Sequence, residues 1–170
     1  MTLRLILTRH AKSDWDNPLD TDHQRPLNAR GRRSAPLIGR WLAANNYLPR
    51  EALVSDAART RETFALLSAE LPQPVPVPVE FDSTLYLASA TVMLRRLQRA
   101  NAPIVLMLGH NPGIAELAAM LLRMPVADTD FQRYPTGATL VADFDIAQWS
   151  ELRGYTGEMV NFTTPRRLEA

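Results

Sequence analysis

Short apolar runs that stop abruptly on polar residues recur along this chain, and they predict strands. Residues 3–10 read Leu-Arg-Leu-Ile-Leu-Thr-Arg-His, so an apolar run ends on an arginine and a histidine. A run of this length followed by turn-rich sequence is typical of a buried strand in a parallel sheet. Runs of similar composition predict the other strands, within residues 52–55, 79–87, 103–108, 138–144 and 158–162.

Apolar side chains with helical spacing occupy the stretches between these strands. Asn28 and Ser89 are predicted N-caps, and Asn111 is a third, with Pro112 at the first helical position. The arginines of the third helix, Arg96 among them, are expected to face solvent. Alternating strands and helices predict an α/β protein with parallel strands. Three of the predicted helices cover residues 29–45, 57–71 and 89–101, and a fourth follows Pro112 with an apolar stripe that ends at residue 121.

Two stretches lack any periodicity and are predicted as loops, at residues 11–28 and 124–137. Long connections without secondary structure are uncommon in compact domains and are more often functional than idle. The first loop carries four aspartates and Trp15. We expect Trp15 to anchor the loop in the core, as large aromatic side chains usually do, whereas a lid or a partner contact is the alternative. Residues 72–78 alternate proline with other residues, which favours an extended edge strand.

Composition excludes several classes of protein. A chain of 170 residues predicts one domain over residues 1–170. The absence of cysteine excludes disulfides, thiolate catalysis and cysteine zinc sites. A net charge of +1 implies neither a nucleic acid nor a membrane as partner. The first apolar run is too short for a signal peptide or a membrane span, so we expect a cytoplasmic protein.

Histidine and arginine residues lie at or just after the ends of three of the predicted strands. Arg9 and His10 end the first strand, Arg59 follows the second by a few residues, and His110 follows the strand at residues 103–108. The carboxyl ends of parallel neighbours meet at one edge of a sheet, where ligands bind in open α/β folds. Arg59 also falls in the first turn of a helix, where a cation opposes the helix dipole unless an anion is present. The sequence therefore predicts an anion site.

Phosphoryl transfer is the chemistry that suits these four side chains. The planar fork of arginine matches phosphate oxygens and stays charged, so Arg9 and Arg59 are predicted to hold the anion. A neutral imidazole can attack phosphorus, and His10 is the candidate nucleophile, with His110 donating a hydrogen bond to developing charge. No metal or other cofactor is required. A metal site that combines histidine with Asp14, Asp16 or Asp82 is the competing interpretation, without a characteristic ligand spacing.

The same residues lie in short motifs: Thr-Arg-His-Ala-Lys-Ser at residues 8–13, Arg-Pro-Leu at 25–27 with Gly31, Ser-Asp-Ala-Ala-Arg-Thr-Arg-Glu-Thr at 55–63, Leu-Tyr-Leu-Ala at 85–88, Gly-His-Asn-Pro at 109–112 and Pro-Thr-Gly-Ala at 135–138. These motifs resemble those of the histidine phosphatase superfamily, to which phosphoglycerate mutases belong. More narrowly, they are similar to the SixA-type phosphohistidine phosphatases. The resemblance implies a three-layer α/β/α sandwich with a mostly parallel sheet, with His10 as nucleophile and Arg9, Arg59 and His110 as phosphate pocket. Arg25 and Lys12, which stand in these motifs, are further candidates for substrate binding.

One part of the family pattern is absent. The glutamate that serves phosphoglycerate mutases as general acid has no recognisable motif here, and Glu80 and Asp82 are the candidates for that role. The predicted function is a metal-independent phosphatase with a covalent phosphohistidine intermediate, acting on phosphohistidine in a partner protein, because a neutral imidazole needs less protonation than an alkoxide to leave. The alternatives are a phosphatase of small phosphoesters that uses Glu80 or Asp82, and a non-catalytic module that binds a phosphorylated partner.

Overall fold

A computed structural model describes residues 1–72 and 76–169 of the chain. Within these residues six strands form one sheet: β1 (Leu3–Arg9), β2 (Glu51–Ser55), β3 (Val79–Asp82), β4 (Ile104–Gly109), β5 (Thr139–Phe144) and β6 (Glu158–Thr163). The helices of the same residues are α1 (Ala29–Ala44), α2 (Ala58–Ser68), α3 (Ala90–Leu97), α4 (Gly113–Leu121), α5 (Thr129–Arg133) and α6 (Pro165–Leu168). None of these helices has the length and apolar character needed to cross a bilayer.

The order of strands in the sheet is β3-β2-β4-β1-β5-β6. Strands β3, β2, β4 and β1 run parallel, whereas β5 is antiparallel to β1 and β6 is antiparallel to β5. The register pairs Arg9 with Gly109 and Val54 with Leu108, so β1, β4 and β2 end side by side. The sequence-based prediction that these three strands are parallel neighbours is confirmed.

Alternating side chains of the sheet pack into two separate cores. Leu5 and Leu7 of β1 belong to the core beneath α3 and α4, whereas Ile6 belongs to the core beneath α1 and α2. Strands with apolar side chains on both faces require helices on both faces, since side chains alternate along a strand. The fold is a three-layer α/β/α sandwich, as predicted.

Local signals set several element boundaries. The side chain of Asn28 accepts from the backbone N–H of Gly31, and that of Ser89 accepts from Val92, so both predicted N-caps are confirmed. Helix α3 ends at Leu97, short of the predicted residue 101, and the predicted loop at residues 124–137 contains α5. Within the predicted edge strand at 72–78, residues 73–75 lie outside the described residues, and strand β3 begins at Val79.

The predicted N-cap at Asn111 is wrong. Helix α4 begins at Gly113 after Pro112, without a side-chain cap. The Asn111 side-chain amide instead donates to the carbonyl oxygens of Arg133 and Tyr134, at 3.0 and 3.1 Å. These bonds satisfy backbone acceptors at the end of α5, a use of the amide that local sequence spacing does not reveal.

Gly31 lets helix α1 approach the segment that leaves β1. A Cβ atom at this position would lie 2.1 Å from the backbone carbonyl oxygen of Lys12, well inside van der Waals contact. We expect Gly31→Ala to reduce the free energy of unfolding by about 2–3 kcal/mol, because α1 and the site-bearing segment must separate. Urea denaturation measures the loss.

The matched control for this substitution is Gly154→Ala. A Cβ atom at position 154 would meet its nearest neighbour, the carbonyl oxygen of Met120, at an ordinary 3.4 Å. The expected change in the free energy of unfolding is within about 0.5 kcal/mol. Equal losses in the two variants would contradict the close approach of α1 to residue 12.

Candidate active site

The carboxyl ends of β1 and β4 and the start of α2 surround one cavity of about 260 Å³. All four side chains predicted to form the phosphate pocket line it, and so do the two further candidates for substrate binding. The lining residues are Arg9, His10, Lys12, Ser13, Trp15, Asp22, Arg25, Arg59, Leu87, His110, Asn111 and Thr136. The sequence therefore identified residues that the fold brings together from positions 100 apart.

His10 is held as a specific tautomer at the base of this cavity. The residue is 6% exposed, and its Nδ1 atom lies 2.7 Å from the carbonyl oxygen of Ala11. A carbonyl oxygen only accepts hydrogen bonds, so Nδ1 carries the proton and donates. In the neutral ring the lone pair is then on Nε2, the nitrogen that could attack an electrophile.

The His10 ring is also kept neutral. Burial lowers the pKa of His10 to about 3, against the opposing hydrogen bond to the Ala11 carbonyl and with smaller contributions from His110 and the charged Arg9 and Arg59. Burial and the charge of Arg59 likewise lower the pKa of His110 to about 3. Both imidazoles are therefore neutral at neutral pH, each with a single N–H proton.

His110 faces His10 across the site, with ring centroids 5.3 Å apart. Its Nε2 atom lies 2.7 Å from the hydroxyl oxygen of Ser55, the last residue of β2. Its Nδ1 atom is buried, and among the described residues it has no hydrogen-bond partner. When the Ser55 hydroxyl donates to Nε2, Nδ1 carries the proton and is a free donor for an anion. The sequence marked Ser55 as part of a motif but did not assign it this contact.

The two arginines are fixed by contacts that leave part of each guanidinium unused. Arg59 is 2% exposed and donates from Nη1 to the carbonyl oxygen of Asp22, at 2.7 Å. Arg9 donates from Nη1 to the carbonyl oxygen of Tyr134, at 3.1 Å. The Nε atoms of both arginines are buried without a partner among residues 1–72 and 76–169. Unsatisfied buried donors are costly, so these groups are prepared for an anionic ligand.

Asp22 is the carboxylate of this cavity, and the sequence analysis missed it as a site residue. It accepts hydrogen bonds from Arg25 at 2.6 Å, from Arg59 at 3.1 Å and from the hydroxyl of Tyr86. Burial would raise the pKa of Asp22, but the bonds from Tyr86 and Arg25 and the charge of Arg59 outweigh it and hold that pKa well below its usual range. Asp22 is therefore ionised and joins the first loop to α2 and to the segment after β3.

Glu80 and Asp82, the predicted acids, do not line the cavity. Both pair with Arg96 of α3, with Asp82 at 3.0 Å from its Nε atom. Arg96 was expected to face solvent, but it is 7% exposed, because its guanidinium turns inward to these two carboxylates on the edge strand. These two ion pairs, of which the one with Glu80 is partly exposed, are a structural contact between α3 and β3.

Trp15, in the first loop, is 72% exposed, so the expectation that it anchors this loop in the core is wrong. The guanidinium carbon of Arg25 lies 3.5 Å from the Trp15 ring centroid, and this stack holds the indole at the surface.

Within the part of the chain that the structure describes, no three histidine or acidic side chains gather as a metal site, including those at Asp14, Asp16 and Asp82.

The low pKa of His10 predicts an unusual pH dependence. A histidine of ordinary pKa, about 6.5, would be about 97% protonated at pH 5 and lost as a nucleophile. With a pKa of about 3, His10 stays neutral from pH 8 to pH 5, and we expect its rate of reaction with a phosphoryl donor to show no decline with a pKa near 6.5. The pH dependence is measured by rapid-quench rates between pH 5 and pH 8, corrected for the titration of the donor itself. A decline centred between pH 6 and 7 would contradict the neutral ring.

Comparison with protein-family models supports the class of protein that this geometry suggests. Residues 5–86, which include His10 and Arg59, match the model of the histidine phosphatase superfamily, branch 1. The chain belongs to this superfamily. The family resemblance drawn from the sequence is confirmed.

Individual relatives and solved structures agree with this assignment. The chain is 30% identical to a protein of uncharacterised function from Mycobacterium tuberculosis over 93% of its own length and 99% of that protein. An uncharacterised chloroplastic protein from Arabidopsis thaliana is 33% identical over 69% of this chain, which spans 58% of that protein's length.

Among solved structures, a candidate phosphohistidine phosphatase SixA from Nakamurella multipartitia is similar, with 26% identity, a TM-score of 0.78 and 97% of each chain covered. A phosphoglycerate mutase from Plasmodium falciparum, 19% identical, covers 95% of this chain and 91% of its own with a TM-score of 0.64. The fold is therefore phosphoglycerate mutase-like.

Proposed function

We propose that this protein is a phosphatase that acts without a metal ion through a covalent phosphohistidine on His10, and that it dephosphorylates phosphohistidine in a partner protein. The observation that carries the proposal is the tautomer of His10. Its Nδ1 proton is engaged by the Ala11 carbonyl, so the lone pair of Nε2 belongs to a ring that is neutral and fixed. Preorganised nucleophiles of this kind support covalent catalysis.

The first chemical step transfers the phosphoryl group to His10. The Nε2 lone pair forms a bond to phosphorus, while the bond from phosphorus to the leaving group breaks and its electron pair departs with that group. Arg9 and Arg59 hold the phosphoryl oxygens, and their charges offset the negative charge of the transition state. His110 donates a hydrogen bond to a phosphoryl oxygen from the ring nitrogen that has no protein partner.

The second step releases inorganic phosphate. A water oxygen bonds to phosphorus, the bond from phosphorus to Nε2 breaks, and its electron pair returns to the ring. The attacking water loses a proton to solvent. Because Nδ1 keeps its proton on the Ala11 carbonyl throughout, His10 leaves as a neutral imidazole and is ready for another cycle.

The carboxylate in the cavity favours a leaving group that needs no proton from the protein. Asp22 is the only carboxyl group among the lining residues, and three donors keep it ionised. An ionised carboxylate is a poor general acid, and alkoxides leave slowly without one. In phosphohistidine, by contrast, the second ring nitrogen can already carry a proton, so the ring departs as neutral imidazole. This supports phosphohistidine over small alkyl phosphoesters.

Rapid quenching with a ³²P-labelled phosphohistidine protein tests the proposal. We expect base-stable, acid-labile label on His10 within the first turnover, and a higher kcat/KM for this donor than for alkyl phosphoesters with metal chelators present. Turnover without label on His10 would overturn covalent catalysis. A preference for alkyl esters that is lost in Asp82→Asn or Glu80→Gln would support the small-ester phosphatase, and binding without turnover would support the non-catalytic module.

A further inference from the structure

Two apolar side chains stand at the mouth of the phosphate cavity, on separate loops. Trp15 belongs to the loop between β1 and α1, and Leu87 follows the short 3₁₀ turn at Ser83–Leu85. They are 72% and 55% exposed, yet both line the same cavity as His10 and His110. Large apolar side chains beside a charged site have a function more often than scattered surface residues do.

The indole of Trp15 is held as a fixed wall. Arg25 stacks on it, with 3.5 Å between the guanidinium carbon and the ring centroid. Arg25 is itself 7% exposed and is locked by hydrogen bonds to the Ser13 hydroxyl and to Asp22. Since one face of the indole lies on a buried cation, the exposed surface of the ring is what remains for a ligand.

Leu87 reaches the cavity mouth at the expense of backbone strain. Its φ angle is +50°, in the left-handed region that is costly for any residue with a side chain. The preceding residue, Tyr86, is bonded through its hydroxyl to Asp22, which also binds Arg25 beneath Trp15. One carboxylate thus connects both loops. Strained residues that persist at the edge of a site point to a functional demand on the side chain.

We propose that Trp15 and Leu87 bind the leaving group of the substrate and select a planar aromatic ring bonded directly to phosphorus. This inference rests on the proposed function and specifies its substrate: the imidazole ring of phosphohistidine would lie against the indole while the phosphoryl group lies on Arg9 and Arg59. The cavity volume is consistent with a small leaving group, because about 260 Å³ is below the roughly 300–1,000 Å³ of pockets for drug-sized ligands. The cavity has room for a phosphoryl group and one small ring.

A pair of small donors isolates the contribution of the ring. N-phosphoimidazole and phosphoramidate both carry a phosphorus–nitrogen bond, but only the first has a ring in its leaving group. The measured quantity is the ratio of their kcat/KM values, and comparing variants with the unmodified protein cancels the intrinsic reactivity of each donor. We expect Trp15→Ala to lower this ratio about tenfold, Leu87→Ala about threefold, and Trp15→Phe to preserve most of it, because ring stacking needs an aromatic face.

Leu19→Ala is the matched control. Leu19 is an apolar residue of the same loop, 89% exposed, and it does not line the cavity. The ratio should be unchanged in this variant, and thermal unfolding and inorganic phosphate binding confirm that each variant is folded. An unchanged ratio in both Trp15→Ala and Leu87→Ala, or an equal fall in Leu19→Ala, would overturn the inference.

Failure of the inference is distinguishable from failure of the proposed function. If the unmodified protein forms labelled His10 from both donors but Trp15→Ala and Leu87→Ala both leave their ratio unchanged, only the role of the two apolar residues is refuted. If the unmodified protein never forms labelled His10, the proposed function is refuted and this inference with it.

Discussion

Replacing His10 with alanine is expected to lower kcat/KM for phosphoryl donors by about four orders of magnitude or more, the scale seen when a covalent nucleophile is removed. The Nε2 lone pair, fixed through the Ala11 carbonyl, has no substitute in the described cavity except His110, whose Nε2 is engaged by Ser55. Steady-state rates and the loss of acid-labile label measure the effect.

The matched control for His10→Ala is a substitution at the third histidine. His23→Gln removes an imidazole that contacts Asp56 at 2.8 Å and does not line the cavity. Its rate should stay within about twofold of the unmodified protein. Inorganic phosphate should still bind His10→Ala, because Arg9, Arg59 and His110 are intact. If His10→Ala still binds phosphate and retains more than about 1% of the unmodified protein's turnover, a covalent role of His10 is contradicted.

Replacing Arg59 with alanine is expected to lower kcat/KM by about 10²–10³-fold, as when one preorganised donor to a developing charge is removed. Arg59 also neutralises Asp22, so its loss leaves a carboxylate beside an incoming phosphate. The affinity for inorganic phosphate should therefore fall as well. Phosphate titration by calorimetry and initial rates measure the two effects separately.

Arg61 provides the control for Arg59. It lies two residues further along α2, is exposed, and donates to the backbone carbonyl of Asp56. Arg61→Ala should change kcat/KM by no more than about twofold, since a surface substitution has little effect. Arg59→Lys should recover part of the phosphate affinity but not the bidentate geometry. Equal effects of the substitutions at positions 59 and 61 would show that general positive charge, rather than a placed guanidinium, binds the substrate.

The sequence predicted that Arg9, His10, Arg59 and His110 come together because each lies close to the end of an apolar run. Arg9, His10 and His110 come directly at strand ends, and Arg59 lies in the first turn of the helix after β2, so the parallel arrangement alone brings them together. The register of β1 and β4 then sets the distance between the two histidines. Local patterning was sufficient to predict that these four side chains meet at one edge of the sheet.

Other site features depend on contacts between distant segments, which local patterning does not encode. Asp22 is one of four aspartates in a loop without periodicity, and its selection depends on Arg25, Arg59 and Tyr86. Arg96 lies on the polar side of its helix in sequence, but two carboxylates of β3 draw it into the protein. Trp15 is exposed because a buried arginine offers its ring a partner at the surface.

The position of β4 between β1 and β2 also affects when the site can form. Arg4 pairs with Ile104, so a strand that comes late in the chain must insert between two earlier ones before His110 stands opposite His10. Pairing across such sequence separations carries a loop-closure cost and is slow compared with helix formation. During refolding, recovery of phosphate binding will therefore lag behind recovery of helical circular dichroism.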